Sequence, residues 1–522
     1  PWSAAMVRLV VLAGVAAVLL LLGNNVRWAQ PQPQPQQRAG QLAPAALTDA
    51  WVLTTFTDGR VLGEGMHVLG LTLGGGPAAF VPLAGDPLVF TPGRDARGAA
   101  WAGGEPTVFR DPSVAFHDGW FHLVFTTELC AGLPTLAFHC DRRQRRDGLP
   151  ARFGYARSRD LLSWSDSRPV AVPLPGACNV WAPEIYLLTR AEAASRGPLS
   201  ADGRLAVAMV VVSISTPASG SEELSDCPWD FGPSAGASRH RPYQMLTSDF
   251  ERWTPPALLF EPLYAESAID ALLFRAPHPP NKSEARGAPP RPDRLSGGPA
   301  AERTYVVYKS EKNGDPSSPC EWRRGQRGAP LGAARCTLVL RLLVGPSPFG
   351  PFAAAPLDRT PVWSDAISHQ CAEGPALFIM PGSAAWVVLY DGYRTDCPLK
   401  LAAPPGQQAC ERLVSSGLDG GRPAAASASE PAAQCTYRGR PGLGALVSDD
   451  LRSWRDGAHV ASTIPRHHKH GTALQLSGEA LCALCGGIGG VAPHAREARR
   501  LWEPVTGMIE LCARTACGTS SS

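Results

Sequence analysis

A short motif recurs along the chain and decides how its strands are organised. It runs Ser158-Arg159-Asp160-Leu161-Leu162-Ser163-Trp164, returns as Ser248-Asp249-Phe250-Glu251-Arg252-Trp253, and returns again as Ser448-Asp449-Asp450-Leu451-Arg452-Ser453-Trp454. A looser copy spans residues 345–352. Ser and Asp side chains close turns by bonding local backbone, and the Trp that follows packs against the next strand. Each copy therefore predicts a hairpin turn between the two outer strands of one sheet.

Short β-rich runs precede each copy and are separated by Gly, Pro and Asp turns. The units begin near residues 110, 183, 269 and 372, and a fifth unit combines a strand near Thr472–Leu476 with three runs in residues 51–83. A ring that closes in this way leaves no free sheet edge. The sequence therefore predicts an all-β, five-bladed β-propeller with long loop insertions. Beyond the leader, no stretch shows sustained helical periodicity.

The 522 residues divide into four predicted regions. Residues 1–29 carry Arg8 and the apolar run Leu9–Leu22, which is shorter than the ~20 residues of a membrane-spanning helix. They predict a signal peptide, with an uncleaved signal anchor as the alternative. The Pro- and Gln-rich residues 30–48 predict a disordered linker. The propeller occupies 49–480, and a Cys-containing C-terminal extension follows over 481–522.

Charge and cysteine content bound the partners and the compartment. The 49 Lys and Arg residues nearly balance 46 Asp and Glu residues, so no basic excess indicates nucleic acid or a membrane surface. Fourteen cysteines behind a signal sequence predict disulfides and a secreted protein, or one in the lumen of the secretory pathway if the anchor is kept. Asn281-Lys282-Ser283 is a glycosylation sequon. Cys482-x-x-Cys485 with Cys512 and Cys517 allows a zinc site, but two disulfides fit a secreted chain better.

One polar residue stands just before the apolar part of the first strand in each predicted unit. In chain order these are Asp111, Glu184, Asp270, Glu373 and His470. The first strand of every propeller blade lines the central channel, so we expect the same position of five blades to converge on one spot. Carboxylates are rarely buried without a partner or a role, and several at one place perturb each other's pKa as acid–base chemistry requires.

Four motifs in register resemble glycoside hydrolase family 43. They are Arg110-Asp111-Pro112, Trp181-Ala182-Pro183-Glu184, Ala268-Ile269-Asp270 and Glu373-Gly374-Pro375, with Tyr390-Asp391-Gly392-Tyr393 and His470-Gly471-Thr472 as further matches. Ala271 stands where family members often have Pro. The match covers roughly residues 50–480. The family comprises arabinanases, α-L-arabinofuranosidases and β-xylosidases on a five-bladed propeller.

The resemblance implies an inverting O-glycosyl hydrolase with three acidic residues. Asp111 would be the general base that activates water, and Glu373 the general acid that protonates the leaving oxygen. Asp270 would raise the pKa of that acid and hold it in place. An inverting pair stands ~6.5–9.5 Å apart, which leaves room for the attacking water. The expected substrate is a polysaccharide or oligosaccharide containing arabinose or xylose.

The remaining site residues are also implied by the resemblance. Glu184, Trp181, Trp101, Arg110 and Asp391 would bind the sugar. His470 resembles an axial histidine that in some relatives helps to hold calcium or water at the channel centre. No cofactor is otherwise required, and His468 is an alternative for the axial position.

Two other functions stay open on the sequence. One is a non-catalytic propeller that binds carbohydrate, which the presence of all three acids disfavours. The other is a fructan-cleaving propeller of the invertase type, whose Asn-Asp-Pro-like start fits Arg110-Asp111-Pro112 less well. The sequence leaves the oligomeric state, the sugar and the choice between endo and exo action undetermined.

Overall fold

The computed structural model describes the chain in segments, and every structural statement below concerns these residues. They are 47–57, 65–72, 79–92, 109–127, 151–177, 179–199, 203–217, 238–263, 267–277, 302–311, 339–358, 366–368, 372–392, 442–461, 463–465, 468–489, 493–505 and 507–514. All of them belong to one compact unit that begins at Leu47. The predicted signal segment, residues 30–46 of the predicted linker, Trp101 and the sequon at Asn281 lie outside the described residues, while the last two residues assigned to the linker, Leu47 and Thr48, already belong to the first strand.

Four sheets follow the chain in order, each with four antiparallel strands. The described residues begin with three strands of the closing blade, β1 (Leu47–Thr57), β2 (Gly65–Leu71) and β3 (Phe80–Pro82). Blade 1 follows and holds β4 (Arg110–His117), β5 (Trp120–Thr126), β6 (Arg152–Ser158) and β7 (Trp164–Ala171). Blade 2 holds β8 (Asn179–Leu187), β9 (Ala208–Pro217), β10 (Ser238–Thr247) and β11 (Ala257–Leu258). Blade 3 holds β12 (Ser267–Pro277), β13 (Glu302–Glu311), β14 (Val339–Gly345) and β15 (Ala353–Ala354). Blade 4 holds β16 (Ala372–Ile379), β17 (Trp386–Gly392), β18 (Gly442–Ser448) and β19 (Arg455–Asp456).

The fifth blade joins the two ends of the ring. Its strand order is β20-β1-β2-β3, where β20 spans Ala473–Ser477 and pairs antiparallel with β1. The first strands of neighbouring blades contact one another in turn, from β4 through β8, β12 and β16 to β20, and β20 contacts β4. The sheets therefore form a closed five-bladed β-propeller, and the predicted fold and its closing blade are confirmed.

The core lies between the blades. Five apolar clusters each fill the space between two neighbouring sheets, as where Phe153 and Val170 of blade 1 meet Val210 and Met245 of blade 2. The recurring Ser-Asp motif closes the outer strand pair as predicted. In blade 1, Asp160 Oδ1 accepts hydrogen bonds from the backbone N–H groups of Leu162 and Ser163, at 2.9 and 2.7 Å. The turns of blades 1 and 2 therefore combine local hydrogen bonds with a buried apolar residue, Leu161 in blade 1 and Phe250 in blade 2.

The expectation of no further helical segments is wrong for the C-terminal region. Besides α1 (Arg190–Arg196) and α2 (Ala458–Ala461), three helices follow β20, namely α3 (Gly478–Gly489), α4 (Pro493–Trp502) and α5 (Met508–Arg514). Trp502, Val505 and Met508 are buried in the same apolar cluster as blades 1 and 5. These helices are short, so their apolar faces give too few repeats of the 3.6-residue period to stand out in the sequence. None of the described helices is long and apolar enough to span a membrane.

The cysteines of this region form disulfides. Cys485 of α3 is bonded to Cys512 of α5, with their Cα atoms 5.2 Å apart, and Cys482 is also disulfide-bonded. The bonded sulfurs favour the disulfide interpretation of this motif over a zinc site. Cys517 and the other cysteines that could clip loops lie outside the described residues.

Candidate active site at the propeller hub

Each of the first four blades begins its innermost strand with a bulge. The ladder slips by one residue at the same place in β4, β8, β12 and β16. The residues at this position are Asp111, Ala182, Asp270 and Gly374, and all four have a positive φ, between 43° and 57°. A bulge re-aims a side chain at the end of a strand, and a non-glycine residue adopts such a φ only where its surroundings enforce it.

The bulges correct one sequence-based expectation. The polar residues converge at the hub but do not share one equivalent position. Asp111 and Asp270 are themselves the bulge residues, whereas Glu373 stands one residue before the bulge and Glu184 two residues after it. A one-residue slip turns a side chain to the other face of the sheet, and this difference in register is not visible in the spacing of motifs. Ala271 does not alter the bulge in β12.

One side of the hub pairs Asp111 with the closing segment. Asp111 Oδ1 lies 3.2 Å from His470 Nδ1, and its Oδ2 accepts a hydrogen bond of 2.7 Å from Thr126 Oγ1. Burial would raise the pKa of Asp111, but the hydrogen bond and charge of His470, with Thr126 and Arg110, lower it below its ordinary value. Burial opposes the charge of His470, yet Asp111 and other nearby carboxylates raise its pKa to about 10. The pair is therefore a carboxylate and an imidazolium at neutral pH.

The opposite side holds two carboxyl groups around one ammonium group. Lys309 Nζ donates to Glu373 Oε2 at 2.8 Å and lies 3.7 Å from Asp270 Oδ2. The same Asp270 oxygen accepts the backbone N–H of Gly374 at 3.0 Å, so Asp270 holds the strand that carries Glu373. Burial raises the pKa of Asp270 to about 6; Lys309 opposes this rise, and Glu373 adds to it. Lys309 and Asp270 together fix the position of Glu373 at the hub.

Two further carboxyl groups at the hub, Glu184 and Asp391, are almost completely buried. Glu184 is 7% exposed, and both its oxygens accept from Thr472 Oγ1 at 3.2 Å. Asp391 accepts the backbone N–H of His470 at 2.9 Å and so fixes the segment that presents the imidazole. Burial is the largest cause that raises the pKa of Glu184 to about 7 and that of Asp391 to about 7. Their observed contacts tie the closing segment to the hub, while their predicted sugar contacts stay predictions.

The predicted aromatic platform is described in part. Trp181 stacks on His240, with ring centroids 4.9 Å apart and planes 25° from parallel. His240 Nε2 lies 3.0 Å from Asn179 Oδ1, and burial lowers the pKa of His240 to about 3, so the ring is neutral. Trp181 and Arg110 are partly exposed near the hub, where their predicted roles in sugar binding stay predictions.

The contacts of His470 also bear on the predicted calcium. Its Nδ1 lies 3.2 Å from Asp111 Oδ1, and histidines that bind metals commonly make such a contact through the nitrogen that faces away from the metal. The predicted calcium stays a prediction, and we derive no step through it. His468, the alternative axial residue, faces Asp86 and Thr55 rather than the hub carboxylates.

Sequence reasoning missed three polar residues of the hub. Lys309, Thr126 and Thr472 each hold one of the predicted acidic residues. Lys309 had a signal, since it ends the apolar run Thr304–Tyr308 inside a predicted strand, and a lysine is rarely buried without a partner. The two threonines had none, because Thr is common in strands of every kind.

The fold and these side chains define the class of the protein as a five-bladed β-propeller with a cluster of carboxyl groups at its hub. The chain is similar to the solved structure of an α-L-arabinofuranosidase from Lactobacillus brevis, with 12% identity over 70% of this chain and 76% of that chain, and a TM-score of 0.30. A thermostable family-43 glycoside hydrolase gives 12% identity, coverage of 68% and 73%, and a TM-score of 0.30. A β-fructofuranosidase from Bombyx mori gives 11% identity over 67% of this chain and 48% of that chain, with a TM-score of 0.31. No family model and no curated protein matches the sequence.

Proposed function

We propose that this chain is an inverting glycoside hydrolase that acts on glycans containing arabinose or xylose. The observation that carries the proposal is the pairing at the hub. Asp111 lies 3.2 Å from the ring of His470, while Asp270 and Glu373 share the ammonium group of Lys309. An ionised base and a protonated acid at the same pH are what glycoside hydrolysis by inversion requires. The choice of pentose follows from the motifs that resemble family 43.

The base step uses Asp111. Its two oxygens accept bonds from His470 and Thr126, and a carboxylate retains further lone pairs for a water molecule. In the proposed step this carboxylate takes a proton from the water as the water oxygen attacks the anomeric carbon. His470 then holds the orientation of Asp111, and its charge keeps the carboxyl ionised until the proton arrives.

The acid step uses Glu373. Lys309 donates to Oε2, which leaves Oε1 to carry the proton that passes to the leaving oxygen as the glycosidic bond breaks. Asp270 orients this strand through the N–H of Gly374. Afterwards Glu373 regains a proton from solvent and Asp111 releases one, so the two residues return to their starting states.

The compartment is part of the same proposal. We place the protein in the secretory pathway or outside the cell, on the basis of the apolar leader and the cysteine content. The disulfide between Cys485 and Cys512 is compatible with an oxidising environment. A polysaccharide or oligosaccharide is the partner that this location and the hub chemistry favour.

The test is a substrate screen with the stereochemistry of the product followed by NMR. The panel contains arabinan, xylan, 4-nitrophenyl pentosides and a fructan. We expect pentose release with inverted configuration, and loss of release in Glu373→Gln. Glu497→Gln on the exposed face of α4 is the matched control and keeps wild-type activity.

The outcomes separate the alternatives. Retained glycan binding without turnover on any glycoside would support a carbohydrate-binding propeller instead. Turnover of the fructan with retained configuration would support the invertase-type reaction. A Glu373→Gln variant as active as wild type on substrates with poor leaving groups would contradict the assigned acid.

A further inference from the structure

A second polar cluster lies in the closing blade, away from the hub carboxylates. His67 of β2, Asp86 after β3 and His468 before β20 meet there. His67 Nδ1 lies 3.0 Å from Asp86 Oδ1, and His468 Nε2 lies 2.9 Å from Asp86 Oδ2. Both imidazoles are completely buried, and 18% of the Asp86 side chain is exposed. Three segments that are distant in sequence thus direct nitrogen and oxygen atoms at one point.

In both imidazole rings, the nitrogen that faces away from Asp86 contacts a threonine hydroxyl. Thr55 Oγ1 lies 2.6 Å from His468 Nδ1, and Thr57 Oγ1 lies 3.3 Å from His67 Nε2. Histidines that bind metals commonly bond a protein oxygen through the ring nitrogen that faces away from the metal, and this contact fixes the tautomer and the ring plane. Here Thr55 and Thr57 both come from β1 and occupy that position for the two rings.

The donor set and its spacing suit a transition metal. The ligand atoms all lie within 4.8 Å of one another, and the two rings meet edge-on with centroids 4.9 Å apart. A tetrahedral ion with bonds of about 2.0–2.1 Å holds its ligand atoms ~3.3 Å apart. Each oxygen of Asp86 lies near one of the two rings, Oδ1 at 3.0 Å from His67 Nδ1 and Oδ2 at 2.9 Å from His468 Nε2, so the carboxylate lies between the two imidazoles. A set of two imidazoles and one carboxylate suits Zn²⁺, whereas Ca²⁺ and Mg²⁺ bind mainly oxygen ligands. The partly exposed edge at Asp86 provides an approach for the ion and a position for a water ligand.

We infer that His67, Asp86 and His468 bind a divalent transition metal of the Zn²⁺ class. The ion would join β2 and the loop after β3 to the segment that leads into β20. It would therefore fasten the one blade that is assembled from both ends of the propeller, and its role is structural. This site is separate from His470, and the inference does not depend on the proposed hydrolase activity.

The first experiment measures metal content and thermal unfolding of the whole chain. Protein is stripped with a chelator, reloaded with Zn²⁺ alone and dialysed. We expect one Zn²⁺ per chain and a higher unfolding temperature, with both effects lost in His67→Gln. His122→Gln is the matched control, because this buried histidine hydrogen-bonds to Tyr155 outside the cluster and should leave the Zn²⁺ content unchanged.

A second variant guards against loss of folding in the first. Thr55→Val keeps the side-chain shape and all three ligands but removes the oxygen that holds His468, and we expect Zn²⁺ affinity to fall by about 10- to 100-fold. Thr72→Val at the end of β2 is its control and keeps the wild-type affinity. The inference is overturned if stripped wild-type protein takes up no Zn²⁺, or if Thr55→Val and folded His67→Gln retain the wild-type affinity. Either result would leave the cluster as a hydrogen-bonded network.

Discussion

Aspartates lie both at the outer edge of the blades and at the hub, and the two groups differ in the contacts that hold them. At the outer edge, Asp160 and Asp249 accept hydrogen bonds from backbone N–H groups within their own turns. At the hub, Asp111 meets His470 of the closing segment, and Asp270 meets Lys309 of its own blade, which also contacts Glu373 of the next blade. The hydrogen bonds of the outer aspartates come from backbone groups within three residues in sequence. The contacts of the inner aspartates form only when distant parts of the chain have come together in the folded ring. The same residue type is thus a local turn device at one end and part of an electrostatic network at the other.

The largest expected effect is on kcat/KM and comes from replacing an aspartate by asparagine, once at the hub and once at the outer edge. Asp111→Asn removes the proposed base, and general-base catalysis contributes on the order of 10²- to 10⁴-fold. We expect kcat/KM on the best pentoside to fall by that factor. Asp160→Asn at the outer turn should leave it within about twofold. Steady-state kinetics of both variants measure the contrast, and equal losses would erase the functional distinction between hub and edge.

A smaller effect concerns the partner of that base. His470→Gln removes the positive charge beside Asp111, so burial dominates and the pKa of Asp111 rises. Because Asp111 must be ionised to act as a base, the acid limb of the kcat/KM profile should move to higher pH. An unchanged acid limb in a folded His470→Gln variant would show that the ion pair does not set the ionisation of the base.

The pH dependence of stability should differ in sign between the two ends. Glu184 has a folded pKa of about 7, raised by burial from about 4.3 in an unfolded chain, so its contribution is complete below pH 4 and is lost as pH rises to 7. Asp249 has a lowered pKa despite some burial, owing to hydrogen bonds from its turn, and contributes above its unfolded pKa.

Urea unfolding between pH 5 and 8 tests the hub side of this contrast. We expect wild-type stability to decline across that range, and Glu184→Gln to flatten the decline by about 2–3 kcal/mol, since one pKa unit corresponds to about 1.4 kcal/mol. The amide keeps the contact with Thr472 but does not ionise. A slope as steep as that of wild type would mean that Glu184 is not the group responsible.

The smallest effect belongs to the turns. Asp160→Ala removes the acceptor of the two backbone N–H bonds in the blade 1 turn, and a hydrogen bond of this kind is worth about 1 kcal/mol. We expect a loss of about 1–2 kcal/mol in unfolding free energy with kcat/KM unchanged. A drop in activity without a drop in stability would place this turn in the functional site, against the comparison drawn here.

Local chemistry explains how much of the fold was predictable. The turns were predictable because Ser, Asp and Trp stand together within seven residues in three copies of the motif. The four units that precede these copies and the looser copy, with a fifth unit assembled from both ends of the propeller region, imply a closed ring. The hub residues were predictable because each predicted unit places one polar residue just before the apolar part of its first strand. The short helices after β20 were missed because their stability comes from packing Trp502 and Met508 against the blades.

The hub geometry was predictable only in outline. Which face Asp111 or Glu373 presents depends on a bulge in each inner strand, and one slipped residue is invisible at the level of motif spacing. Lys309 comes from the second strand of blade 3 and meets the acids through tertiary packing. His67 and Asp86 join His468 because the first and last strands share a sheet, which relates residues about 400 positions apart.

The shared fifth blade has a consequence for the order of events during synthesis. Chains fold from the N-terminus as they leave the ribosome, so blades 1 to 4 emerge before the segment that carries His470 and Thr472. Until that segment docks, Asp111 and Glu184 lack partners that hold them in the finished ring. A nascent chain that lacks this segment would therefore carry every proposed acid without the contacts that hold Asp111 and Glu184 in the finished ring.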